Sequence, residues 1–228
     1  MKNVIVLKDL YKIYKESEIE VRAVNGVDFK IEEGEFVAIV GPSGSGKSTL
    51  LNMIGGLDEP TSGNVYVDGM SISGMKESEL TDFRMKYIGF VFQSYNLLPV
   101  LTAKENAEFV MKLQGKSQKE CDLRVNSLLK EVGLGERINA RPSKLSGGQQ
   151  QRVAVVRALA SKPKFILADE PTANLDSVST ETLLDIMENL NKEENMTFVF
   201  STHDKRVVNK ARRIITIEDG KIISDVFK

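Results

Sequence analysis

An apolar run, Phe36-Val37-Ala38-Ile39-Val40, passes without a spacer into Gly41-Pro42-Ser43-Gly44-Ser45-Gly46-Lys47-Ser48. A short apolar run closed by turn-forming residues reads as a strand buried on both faces. The eight residues after it fit G-x-x-x-x-G-K-[ST] at every fixed position. Such a loop exposes backbone N–H groups to a phosphate, and it needs a strand to fix its entry and a helix to follow it. A helix is therefore expected from near Lys47. Lys47 is expected to reach the terminal phosphates of a nucleoside triphosphate, and the Ser48 hydroxyl to ligate Mg²⁺. Gly41, Pro42, Ser43, Gly44, Ser45, Gly46 and Thr49 complete the cradle. Alone, this segment implies nucleotide binding and nothing narrower.

The rest of the chain alternates strand and helix patterns. Val27, Phe29 and Ile31 alternate, Glu33-Gly34 turns, Asn64-Val65-Tyr66-Val67 reads as a strand before an Asp68-Gly69 turn, and Ile88 to Phe92 reads as another. From Thr102 to Ala160 the period becomes helical. Thr102 with Glu105 and Ser117 with Glu120 fit capping boxes; Cys121, Val125, Leu128, Leu129 and Val132 share one face, and Gly133 suits a stop. Strands return at Phe165–Ala168, Thr197–Phe200 and Arg213–Ile217, with a helix over Ser177–Leu190. Alternation of this kind predicts a mainly parallel α/β sheet. The helical block looks inserted, giving one domain with core and β lobe over about 1–93 and 161–228 and a helical lobe over about 94–160.

Size and charge exclude other classes. The chain has 228 residues, 41% of them hydrophobic, enough for one full core. Thirty-one basic residues against thirty-two acidic ones leave no excess for sequence-blind binding to nucleic acid. The lone Cys121 has no partner for an internal disulfide and reads as a buried thiol of a reducing compartment. Met1 to Val6 runs directly into Lys8 and Asp9, without a signal-peptide core, and no apolar run nears the ~20 residues of a membrane helix. A soluble, cytoplasmic chain is expected, so any membrane role requires a second subunit.

Two further segments carry chemistry. Phe165–Ala168 ends in Asp169-Glu170, at the strand end where ligands bind in open α/β sheets. Asp169 can hold Mg²⁺ through a water and Glu170 can take a proton from an attacking water; the pair can equally be a solvated strand end. Ser146 with Gln149 fits a capping box, and Gly147-Gly148 would expose N–H groups at a positive helix end. That segment is either an anion site or a plain helix start.

Taken together, Leu145-Ser146-Gly147-Gly148-Gln149-Gln150-Gln151-Arg152 resembles the signature of ATP-binding cassette (ABC) ATPases of the lipoprotein-release and macrolide-export type (MacB/LolD/FtsE-like). Ile88–Gln93, Asn96-Leu97-Leu98-Pro99 and Ala168–Asp176 match the same group, and the resemblance covers essentially the whole chain in the family's motif order. It implies a P-loop NTPase (RecA-like) core with an antiparallel β lobe and an inserted helical lobe. It also implies an ATPase that takes ATP and Mg²⁺, closes as an ATP-bound homodimer, and docks peripherally on an integral membrane permease (FtsX/MacB-like). By that resemblance Gln93 senses Mg²⁺ and the attacking water, Asp176 belongs to a loop that crosses to the partner, and His203 contacts the γ-phosphate. Ser146, Gly147, Gly148 and Gln149 complete the partner's ATP site. Tyr14 matches the adenine-stacking aromatic, with Tyr11 as the alternative stacker and a packed β-lobe ring as the plain reading. Ala173 departs from the Gly frequent in this group. No extension follows Lys228, so a regulatory domain is not expected.

A soluble ABC ATPase acting on DNA or ribosomes is the competing reading, but such relatives carry coiled-coil insertions or fused cassettes. A P-loop GTPase would share only the first loop. Asn191-Lys192-Glu193-Glu194 has Glu194 where guanine recognition needs Asp, and reads instead as a solvated helix end.

Overall fold

The computed structural model describes residues 2–16 and 19–228. The first two strands, β1 (Asn3–Glu16) and β2 (Ile19–Glu32), pair antiparallel, and β3 (Phe36–Val40) leads through the glycine-rich loop into helix α1 (Lys47–Ile54). Next come β4 (Ser62–Val67), β5 (Met70–Ser71), α2 (Glu77–Tyr87) and β6 (Ile88–Val91). Three helices follow, α3 (Ala103–Leu113), α4 (Gln118–Glu131) and α5 (Gly147–Ala160), with two 3₁₀ turns between α4 and α5. The chain ends with β7 (Phe165–Asp169), α6 (Ser177–Glu194), β8 (Thr197–Ser201), α7 (Lys205–Lys210), β9 (Arg213–Glu218) and β10 (Lys221–Phe227).

Two sheets organise these elements. One is antiparallel, in the order β2-β1-β4-β5. The other runs β10-β9-β3-β8-β7-β6, parallel except for β10. Strands buried on both faces need near-continuous apolar runs, and β3 throughout, Phe165–Ala168 of β7 and Phe198–Phe200 of β8 supply them. Phe36, Ala38, Ile166, Ala168, Phe198 and Phe200 face one core, which they share with α3 to α6. Val37, Ile39, Phe165, Leu167 and Val199 face the other, shared with α1 and the antiparallel sheet. Phe36, Phe198 and Phe200 form a tilted cluster, with Phe36 ring centroids 5.5 and 4.7 Å from the other two.

The local signals for helix ends hold. Thr102, Ser117 and Ser146 each accept from the backbone N–H three residues on, and Glu105, Glu120 and Gln149 each reach back to the capping residue. Each cap is worth about 1 kcal/mol. All five residues of the predicted α4 face are buried, and burial pushes the Cys121 thiol pKa up. The expected Asp68-Gly69 turn takes positive φ at both residues and joins β4 to β5.

The helical block is interrupted by two 3₁₀ turns, lying between the expected stop at Gly133 and the expected helix start at Ser146. Helix α2 carries no apolar stripe, since only Phe83 of it is buried. Glu194 is the exposed last residue of α6, as expected, and both its carboxylate oxygens accept from Arg124 of α4, at 3.1 and 2.9 Å. Among the described residues no helix is long and apolar enough to cross a membrane.

Phe36→Ala should leave a cavity between Phe198 and Phe200 and lower unfolding stability by about 3–5 kcal/mol. Urea denaturation followed by circular dichroism checks this: the midpoint should fall with an unchanged slope.

Candidate active site

The parallel strands deliver the site residues to one edge. In register, Ile39 of β3 and Asp169 of β7 both pair with Ser201 of β8, so the three strands end level. Val40, Glu170 and Thr202 therefore come next side by side, and Gly41 follows directly after Val40.

The glycine-rich loop is backed by other segments. The Gly220 N–H donates to Ser45 O (3.1 Å), and the Asn25 N–H donates to Gly220 O (2.9 Å). Gly46 takes φ +98°, and a Cβ there would stand 2.0 Å from the carbonyl oxygen of Ala23, so no other residue fits without displacing β2. The Lys47 ammonium curls over the start of the loop and donates to Gly41 O and Pro42 O, both at 2.9 Å. Loop, strands and turns enclose a cleft of about 960 Å³. Gly41 through Thr49, Gln93, Glu170 and His203 all line it, joined by Val21, Asn25 and Asp219.

Ser48, which lines the cleft, donates through Oγ to Asp169 Oδ1 at 3.0 Å, and Asp169 lies behind it without lining the cleft. A hydroxyl and one carboxylate are a hard-oxygen pair. No group of three or more His, Cys, Asp and Glu that could hold a metal occurs among the described residues. That set fits Mg²⁺, which keeps several waters and takes one or two protein oxygens together with phosphate oxygens, and does not fit a dedicated protein cage.

Glu170 occupies the left-handed region (φ +44°), an uncommon conformation for a side chain of this size. Its N–H donates to Ser201 O (2.9 Å), Thr202 Oγ1 donates to Oε2 (3.4 Å), and His203 Nδ1 lies 2.8 Å from Oε1. The carboxylate is only 17% exposed while the imidazole is 73% exposed, so the pair is anchored through Glu170. Behind it, Asp204 accepts from Thr172 Oγ1 (2.9 Å) and from Arg206, and the Arg206 hydrogen bond heads the causes that hold its pKa below the usual carboxylate range.

Ser146, Gly147, Gly148 and Gln149 form the first turn of α5, and none of them lines the cleft. Gly147 lies against Tyr95 and Asn174, and Gly148 against Ser179. Asp176 caps α6, accepting from the N–H and hydroxyl of Ser179, which depress its pKa. It too stands outside the cleft. Tyr14 borders the cleft without lining it: it pairs with Val21 across β1 and β2, its ring is 41% exposed, and its hydroxyl donates to Asp58. Burial, then that bond, raises its pKa. Tyr11 is the less available ring, with its hydroxyl tucked against Gly26.

Other contributors were given no role by the sequence, although Gln151 and Asn174 fall inside the segments that carry the family resemblance. Gln151 is fully buried and its Nε2 donates to Phe92 O and Pro171 O; Arg157 donates to the carbonyls of Tyr95 and Asn96; Asn174 Nδ2 donates to Gln93 O (3.0 Å). Their partners are backbone atoms, which leave no mark on composition or spacing.

The model of the ABC transporter family matches residues 24–173. The chain belongs to that family. It is 51% identical over 97% of its length, and 94% of the relative's, to an uncharacterized ABC transporter ATP-binding protein of Thermotoga maritima. It is 48% identical to the macrolide export ATP-binding/permease protein MacB of Hyphomonas neptunium, of whose length it spans 34%. Among solved structures it matches the dimeric ATP-binding cassette MJ0796 of Methanocaldococcus jannaschii in a post-hydrolysis state bound to ADP and Pi. The TM-score there is 0.91, with 45% identity and 98% of each chain covered. The chain is thus an ABC ATPase, the ATP-binding part of a transporter, with the P-loop α/β fold expected.

In this ABC ATPase, Gly46→Ala forces strain of about 1–3 kcal/mol onto the loop, so ATP affinity should fall about tenfold or more. Titration with a fluorescent ATP analogue measures it; unchanged affinity would contradict the close approach to Ala23.

Proposed function

We propose that two copies of this chain close on two ATP molecules and drive a separate membrane permease from its cytoplasmic face. The observation that carries the reading is the division of the motifs. The cleft of one chain gathers Lys47, Ser48, Gln93, Glu170 and His203, whereas Ser146–Gln149 lie outside it. A helix start with glycines and free N–H groups, turned away from its own nucleotide cleft, suits the triphosphate held by a second copy. The dimeric state of the MJ0796 cassette supports the same arrangement.

Each residue then has a role. Loop amides and Lys47 meet the phosphate charge from one side, and Ser146–Gln149 of the other protomer meet it from the opposite side. Ser48 and Asp169, with Gln93 nearby, would hold Mg²⁺, which would neutralise charge at the phosphates. Glu170 takes the proton of the attacking water, and His203, fixed by its contact with Glu170, holds the γ-phosphate side. Phosphoryl transfer depends on positioning and charge stabilisation, and this set provides both. Tyr14 stacks on adenine, and Asp176 crosses toward the partner. Hydrolysis removes the anionic bridge, and the dimer opens. Residues of about 94–160 act as the helical lobe against a core of about 1–93 and 161–228.

The MacB relative of Hyphomonas neptunium, of whose length this chain spans 34%, is named an ATP-binding/permease protein. Here a separate FtsX/MacB-like permease supplies the membrane part, and the complex performs export, lipoprotein release or mechanical signalling. Near-neutral charge argues against nucleic acid as a partner.

Glu170→Gln tests the reading. Turnover should fall about 10²–10⁴-fold with ATP affinity retained. With ATP and Mg²⁺ the variant should run as a dimer in light scattering and retain an integral membrane protein from detergent-solubilised membranes. Rapid hydrolysis, or a monomer with no membrane partner, would contradict it.

A further inference from the structure

Helix α5 carries two kinds of contact that face different nucleotides. Its first turn, Ser146–Gln149, serves the partner's ATP under the function proposed above, on which this inference rests. Its body holds the backbone of its own cleft. Gln151 Nε2 donates to Phe92 O (3.4 Å), the carbonyl preceding Gln93, and to Pro171 O (2.8 Å), the carbonyl following Glu170. Arg157 donates to Tyr95 O (2.8 Å) and Asn96 O, two and three residues beyond Gln93. The two residues are about 9 Å apart along the helix axis, and the carbonyls they hold, Phe92 and Tyr95 with Asn96, bracket Gln93 in the sequence.

Chemistry fixes the direction of these bonds. Carbonyls only accept, so the Gln151 amide must turn its NH₂ to both of them. Its Oε1 is then buried without a hydrogen-bond partner among the described residues. A side chain kept only for packing would be apolar at this fully buried position, so the amide is there for its donors. Tyr95 and Asn96 both take positive φ, +59° and +49°, uncommon for non-glycine residues. The Arg157 guanidinium holds that turn in place.

We propose that α5 is the mechanical link between the two ATP sites of the dimer. Gln151 and Arg157 are its positioning residues: they convert engagement of Ser146–Gln149 by the partner's ATP into placement of Gln93 and Glu170 in their own cleft. Close-packed cores pass small displacements on as discrete shifts instead of absorbing them, and α5 is packed on both the helical block and the sheet. Its movement therefore carries Phe92 and Pro171 with it, and the catalytic groups one residue away.

Gln151→Met keeps the volume and removes the donors, and Arg157→Lys keeps the charge but not the planar fork that serves two carbonyls. Both are tested by steady-state hydrolysis across ATP concentrations, with the parent protein alongside. The parent should show a Hill coefficient near 2, and each variant one falling toward 1, the limit of uncoupled sites. Their kcat should fall about 10–100-fold, as expected of displaced catalytic groups. ATP affinity should stay within about twofold of the parent, and dimerisation in the Glu170→Gln background should persist, because neither side chain touches the cleft. Lost activity with the parent's Hill coefficient and a lowered melting temperature would make these residues merely structural and overturn the link. So would unchanged kcat and cooperativity. A parent that hydrolyses ATP with a Hill coefficient of 1, and whose Glu170→Gln form stays monomeric, would remove the two-copy reading and the inference with it.

Discussion

The parallel register of β3, β8 and β7 is the constraint on which the rest depends. Because Ile39 and Asp169 are both level with Ser201, the phosphate loop, Glu170 and the Thr202-His203 segment emerge at one edge within hydrogen-bonding reach. A slip of one residue in any of the three strands would turn its side chains to the opposite face and separate Ser48 from Asp169. The two-sided apolar burial of these strands prevents that slip. The three phenylalanines on one face and Val37, Ile39, Leu167 and Val199 on the other each fit only one alignment. Core packing and catalytic geometry are therefore the same specification.

On that frame the strained and close-approach positions sit at the site. Glu170 adopts positive φ, Gly46 meets the Ala23 carbonyl, and Tyr95 and Asn96 turn left-handed just beyond Gln93. Each costs stability locally and is held by neighbours that over-determine it: Ser201 O for Glu170, the β2 backbone for Gly46, Arg157 for the turn. Such concentration of strain is expected where positioning carries the chemistry.

How legible this was in the sequence followed the range of the signal. The strand–loop–helix around Lys47 and the caps at Thr102, Ser117 and Ser146 are local patterns, and the structure reproduces them. The α4 face was legible because its apolar residues recur at helical spacing. Helix α2 was not, since it buries only Phe83 and so has no stripe, and β10 was not, since it is an exposed edge strand. Glu194 was legible as an exposed helix end, but its pairing with Arg124, 70 residues away, was not. At the site, Gly41–Thr49, Gln93, Glu170 and His203 came from motifs, whereas Val21, Asn25 and Asp219 did not, and the roles of Gln151, Arg157 and Asn174 rest on distant backbone carbonyls that side-chain patterns cannot reveal.

The central claim is that each ATP site is built from two copies of the chain, the Lys47 loop of one and the Ser146 turn of the other. Mixing two inactive variants tests it most directly: Lys47→Ala, with its loop disabled, and Ser146→Arg, with a bulky side chain on the exposed first turn of α5. In a mixed dimer one site inherits both defects and the other inherits none. Single-turnover ATP hydrolysis should therefore be near zero for each variant alone and appear when they are combined. A mixture as silent as its components would contradict the shared site.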